Sequence, residues 1–184
     1  MRILGIAPGS RFTGFGCIEA QGSRFHHVAH GTLRLEGPSK TTPLEFRLLS
    51  LHQKLGEIFK TYRPDVMALE KVFLAKNAMS ALKLGQARGV AFLNGALFGV
   101  PVIEYSATEV KLCVSGYGRG SKLQIQKMVR LHLGNAKLEF DRDDAADALA
   151  LAICHAKAGG PRIKRGRSIS ESVQGALKHK SMER

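Results

Sequence analysis

Six apolar residues, Leu44, Leu48, Leu51, Leu55, Ile58 and Tyr62, recur at spacings of four and three. That spacing puts all of them on one face of a helix that must end before Pro64. A helix with a single apolar face has to bury it against another layer. The chain supplies strands on both sides. Residues 2–7 (RILGIA), 14–20 (GFGCIEA) and 24–35 (RFHHVAHGTLRL) read as three short strands joined by glycine-containing turns, an antiparallel meander. Beyond the helix, Val66–Glu70 (VMALE) reads as a short buried strand ending in a carboxylate. A helix over 78–98, a fifth strand at VIEYS, a short helix at ATEVKLCV and a glycine-rich loop, SGYGRGS (Ser115–Ser121), follow. A basic helix from Lys122 to about Leu133 and a last helix over Asp143–Ala158 complete the series. Strands alternating with helices in this order predict an α/β layered domain, a mixed five-stranded sheet flanked by helices.

The 184 residues are expected to form one domain over 1–158, followed by a basic, mobile tail over 159–184. At 44% hydrophobic and 23% charged residues the composition is that of a globular chain, not a disordered one. Lys and Arg exceed Asp and Glu by 28 to 15, a net charge of +13. Such an excess is the footprint of a polyanion binder, with nucleic acid as the leading partner. It also suits a basic solvated surface or a ribosome-associated protein, and it supplies affinity without chemistry. Cys17, Cys113 and Cys154 form no CxxC pair, so they read as buried thiols of a reducing cytoplasm rather than a disulfide framework or a zinc site. The most apolar stretch, VAFLNGALFGVPVI, is too short to span a bilayer and is interrupted by Asn94, Gly95 and Pro101. No signal peptide or membrane partner is expected.

Glu70 at a strand end, and Asp144 with Asp147 at a helix start, are the candidate reactive cluster. Asp144 and Asp147 stand at i and i+3, so both carboxylates can face the same side of the first helical turn. Asp141, Asp143 and Asp144 could instead cap the helix and complement its dipole. Three hard oxygen ligands converging in a basic protein, however, suit Mg²⁺ or Mn²⁺ and a phosphodiester substrate. Ala81, Gly85 and Gly89, stacked at intervals of four, would let another helix approach closely. His132 and His155 read as helix-surface residues rather than ligands.

Three stretches then carry a specific resemblance: ILGIAPGSRFTGFG at the start, ALEKVFLAKNAMSALKLGQARGVA in the middle and DAADALALAI near the end. Together, over about Ile3–His155, they closely resemble the bacterial RuvC family of Holliday-junction resolvases. The resemblance implies an RNase H-like fold, a homodimer and metal-dependent cleavage of four-way DNA junctions by paired symmetrical nicks in recombination and repair. It also implies Mg²⁺ or Mn²⁺, two ions per site in the intact enzyme, and a branch-migration helicase complex as partner. The family's acidic positions fall on Glu70, Asp144 and Asp147, while its first aspartate falls on position 7, which is Ala7 here. In a two-metal hydrolase one ion activates the attacking water and the other stabilises the leaving oxygen, so losing a shared ligand disturbs both. This chain is therefore expected to bind junctions and to be inactive or severely impaired in cutting them. Ala7 marks either an introduced substitution that leaves DNA uncut or a natural junction-binding protein that has lost cleavage. Lys111 and Lys122 match family lysines at the active site, and Phe73 matches an aromatic that stacks on a junction base. Arg88, Arg119 and, in the tail, Arg162, Lys164, Arg165 and Arg167 are expected phosphate contacts.

The first stretch is also similar to the phosphate loop of the actin-like ATPase and sugar kinase group. Those enzymes close a second such domain over the nucleotide, for which 184 residues are not expected to leave room.

Overall fold

The first strand, β1 (Arg2–Ala7), lies at the centre of a five-stranded sheet in a computed structural model that describes residues 1–35, 42–71 and 78–159. The strand order is β3-β2-β1-β4-β5, with β2 (Phe12–Gln21), β3 (Arg24–Arg34), β4 (Val66–Glu70) and β5 (Val102–Tyr105). β1, β2 and β3 pair antiparallel, as a meander joined by short turns must. Gly22 takes a positive φ of 61° in the β2–β3 turn, a conformation that favours glycine. β4 pairs parallel with β1, and β5 with β4, which requires crossovers: the helices α1 (Leu44–Tyr62) and α2 (Ala78–Leu97) supply them.

Alternation along the strands then sorts side chains into two cores. Leu4 and Ile6 of β1, with Met67 and Leu69 of β4, face α1 and α2, where Leu51, Leu55, Ile58, Phe59, Ala87 and Ala91 are buried against them. Ile3 and Ala7, with Val66 and Ala68, face the opposite way, toward α3 (Ala107–Ser115), α4 (Lys122–His132) and α5 (Asp143–Lys157). α5 lies directly on the sheet and α3 and α4 cover its outer side.

Three glycines make that contact close enough. A Cβ on Gly5 would stand 1.9 Å from the Ala148 carbonyl oxygen, one on Gly14 1.8 Å from that of Asp144, and one on Gly16 2.6 Å from the Leu149 nitrogen. Covered on both sides, α5 buries nearly its whole circumference from Ala145 to His155. This overturns the helix-surface reading of His155, which is fully buried, with its Nδ1 2.8 Å from the Tyr105 hydroxyl. His132 is half-buried, and its Nε2 lies 2.9 Å from the Val114 carbonyl oxygen, to which it donates. Cys17 and Cys154 are buried and Cys113 half-buried, all as free thiols. Among the described residues no helix is long and apolar enough to cross a membrane.

Candidate active site

Parity on the sheet fixes where the site must be. Counting from Ile3, the residues of β1 on the α5 face are 3, 5 and 7; counting from Val66, those of β4 are 66, 68 and 70. Ile6 pairs with Leu69, so Ala7 and Glu70 end adjacent parallel strands side by side, both on the side that α5 covers. On its other flank Ala7 pairs with Gly14, whose α-carbon lies against the Asp144 backbone. Ala7 is thus enclosed between Glu70 and the first turn of α5, and it is 5% exposed. The turn that follows is tied down by the buried Thr13, whose Oγ1 donates to the Gly9 carbonyl and accepts from the Gly9 N–H.

The start of α5 brings the remaining carboxylates. Its N-cap is Arg142, which has an extended backbone and makes no side-chain capping hydrogen bond, so no aspartate occupies that position, although Asp143 and Asp144 lie in the first turn, where they complement the helix dipole. Asp141 instead accepts from the Thr32 hydroxyl at 3.1 Å, and Asp143 accepts from Lys122 at 2.8 Å and Gln126 at 3.0 Å. Asp144 accepts from Arg142 Nε at 3.2 Å, while the same guanidinium lies 3.9 Å from the centroid of the Phe12 ring. Asp147, one turn further along, lines a pocket of about 170 Å³ with Glu70, Lys111 and Lys122.

The electrostatics follow from this crowding. Burial pushes the Glu70 carboxyl up to about 7, reinforced by the charges of Asp147 and Asp144 and opposed by Lys111. Burial also raises Asp147, against the pull of Lys122. The Lys122 ammonium is held above its ordinary value chiefly by its hydrogen bond to Asp143. A wider groove of about 400 Å³ adjoins the pocket, lined by Glu70, Lys71, Ser106 and Thr108 among others.

Hard anionic oxygens are the correct donors for Mg²⁺ or Mn²⁺. Their arrangement does not complete a site. Among the described residues no three acidic, histidine or cysteine side chains stand close enough together to hold an ion. Asp144 is engaged by Arg142, and the place between Glu70 and α5 holds a methyl group. The residues present do not fit a divalent-ion centre.

Arg88 does not present a free charge: its Nε donates to Glu104 at 2.9 Å, and its guanidinium packs over the Phe92 ring. Arg119 is exposed in the loop between α3 and α4. Ala81, Gly85 and Gly89 lie along α2, where a Cβ added to Gly85 or Gly89 would meet nothing within 4 Å. Phe73 and the four basic tail residues lie outside the described residues. The pairings of Arg142 with Asp144 and of Asp143 with Lys122 were not read from the sequence; its one signal is the charged run Asp141–Asp144.

Sheet order, helix placement and the carboxylates at the ends of β4 and α5 are those of the RNase H-like fold. The solved structure of Thermus thermophilus RuvC in complex with Holliday junction substrate superposes with a TM-score of 0.79 at 29% identity, over 86% of this chain and 94% of that one. The yeast mitochondrial Holliday junction resolvase Ydc2 shares the fold, with a TM-score of 0.59 at 11% identity, over 84% of this chain and 78% of that one. Residues 3–155 match the family model described as crossover junction endodeoxyribonuclease RuvC. Curated RuvC proteins of Syntrophotalea carbinolica and Geobacter metallireducens are 50% and 49% identical, over 85% and 87% of this chain and 94% of each relative. The chain belongs to the RuvC family of crossover junction endodeoxyribonucleases.

Proposed function

We propose that this chain recognises four-way DNA junctions as a homodimer and does not cut them as it stands. The observation that carries the reading is the alanine enclosed between Glu70 and the first turn of α5, beside the pocket that Glu70, Asp147, Lys111 and Lys122 line. In the family's reaction Mg²⁺ or Mn²⁺ would be held by carboxylates from position 7, Glu70, Asp144 and Asp147, two ions acting on one phosphodiester. Without the first of these, Lys111 and Lys122 can still attract a phosphate to the pocket. Removing one negative charge also weakens repulsion of the DNA backbone, so binding outlasts cleavage.

A junction is two-fold symmetric, and a two-fold dimer presents two sites to it. The open face of α2 along Ala81, Gly85 and Gly89 supports that helix as the contact. Phe73 stacks on a junction base, Arg119 and the basic tail reach phosphates, and the domain over 1–158 carries the recognition. The chain works in the cytoplasm beside a branch-migration helicase. An introduced substitution and a natural loss of cleavage predict the same behaviour of this chain, and a close relative with aspartate at position 7 would discriminate between them.

Fluorescence anisotropy with a labelled four-way junction and a linear duplex, over graded salt and without divalent metal, tests the reading. The junction should bind far more tightly, with affinity falling steeply as salt rises. Phe73→Ala should lose junction affinity by an amount corresponding to one stacked base, about 1 to 3 kcal/mol. Equal affinity for junction and duplex in both proteins would mark a nonspecific basic protein instead.

A further inference from the structure

The glycine-rich loop between α3 and α4 displays an aromatic ring that the loop does not need. Ser115 organises the turn: its hydroxyl lies 2.8 Å from the Lys111 carbonyl and 3.0 Å from the Tyr117 carbonyl, and the Tyr117 N–H points back at it at 3.4 Å. Gly116 ends α3 with a φ of 74°, a conformation that favours glycine, and its N–H donates to the Leu112 carbonyl. The Gly120 N–H closes the turn onto the Tyr117 carbonyl at 3.2 Å. Every one of these contacts uses backbone or Ser115. The Tyr117 ring is 60% exposed and has no aromatic or hydrogen-bonding partner among the described residues.

Its position is not arbitrary. α3 and α4, which the loop joins, carry Lys111 and Lys122 into the pocket that also holds Glu70 and Asp147. Gly118, the next residue, folds back onto the start of α3, where a Cβ on it would come 3.3 Å from Thr108 Cγ2. Thr108 lines the groove beside Glu70 and Lys71, so the loop stands at the rim of that groove. Arg119 is exposed on the same loop, and among the described residues it has no ion-pair partner. An exposed aromatic next to an unpaired cation, on a loop set by its own backbone, is the combination that holds an unstacked base and its phosphate. A backbone-defined loop also presents the ring at little ordering cost.

We infer that Tyr117 is a second stacking residue: it receives a base of the strand running past Glu70 while Arg119 pairs with a neighbouring phosphate. This rests on the junction-binding reading and adds to it the part of the substrate that the loop holds, a base unstacked beside the cleavage position.

The test uses the full chain and four-way junctions carrying 2-aminopurine at successive positions flanking the crossover. Binding of the unchanged chain should alter fluorescence at one of these positions. Tyr117→Ala should abolish that change and weaken junction binding by about fivefold or more, the loss of one stacked base. Tyr117→Phe should retain both, since the ring is kept, whereas Tyr117→Leu should behave as alanine does. The salt dependence separates the two residues: Arg119→Ala should lower the slope of log K against log salt by about one phosphate's worth, and Tyr117→Ala should leave it unchanged. Unaltered thermal unfolding of the Tyr117 variants is expected from the ring's exposure. Junction binding and fluorescence that are the same in Tyr117→Ala as in the unchanged chain, or full retention by Tyr117→Leu, would overturn the proposal alone. Failure of the unchanged chain to bind the junction would overturn the functional reading and this proposal with it.

Discussion

Replacing Gly14 by alanine should damage both the stability of the domain and the geometry of its site. The new Cβ would stand 1.8 Å from the Asp144 oxygen, 2.3 Å from its carbonyl carbon and 3.0 Å from the Ala145 nitrogen. All three are backbone atoms, so no side chain can rotate away. An ordinary carbon contact needs about 3.5 Å, which requires the strand and the first turn of α5 to part by roughly 1.5 Å. Overpacking of this kind costs about 1 to 3 kcal/mol, and backbone on both sides puts Gly14→Ala near the upper end. For a domain of this size each kcal/mol lowers the melting temperature by roughly 2–4 °C, so a fall of about 5–10 °C is expected. Urea denaturation followed by circular dichroism measures the loss at an unchanged slope. The same displacement moves Asp144 and Asp147 away from Glu70. Placed on an Ala7→Asp background, Gly14→Ala should therefore slow junction cleavage by about a hundredfold. A stability loss below about 0.5 kcal/mol would refute the claim that the missing side chain at position 14 sets the helix-to-sheet distance.

Two further outcomes follow from other parts of the molecule. Glu70 has a folded-state pKa near 7 against an ordinary 4.5, so folding favours its protonated form, and its contribution is fully present below 4.5 and lost as pH rises through about 7. In metal-free buffer Glu70→Gln should match the unchanged chain near pH 4 and exceed it at pH 8 by on the order of 2 kcal/mol, measured by denaturant titration at both values; equal stability throughout would contradict the burial argument. Gly85→Leu puts a bulky side chain on the open face of α2 and should convert a dimer to monomers in sedimentation equilibrium; an unchanged dimer would remove this helix from the contact.

The layered fold was legible because its signals are local. The stripe Leu44 to Tyr62 and the run VMALE each fix their own element, and the order of elements fixes the layers. Glu70, Asp144 and Asp147 could be singled out because strand ends and helix starts are where the chain displays side chains. What the sequence left open depends on contacts between distant segments. His155 looked like surface because half of an isolated helix is surface, whereas α3 and α4 close over α5. Arg88 looked like a free cation, and its partner Glu104 lies on the neighbouring strand, sixteen residues away. The role of Gly14 appears only once α5 is laid across β2.

The most direct measurement is cleavage of a labelled four-way junction with Mg²⁺ or Mn²⁺, by this chain and by its Ala7→Asp variant. Position 7 stands beside Glu70 and the start of α5, so a carboxylate there would add an oxygen donor between them. The account predicts that the unchanged chain binds the junction and leaves it uncut, and that Ala7→Asp produces paired symmetrical nicks that require the metal and disappear again with Glu70→Gln. Efficient metal-dependent cleavage by the unchanged chain would contradict it.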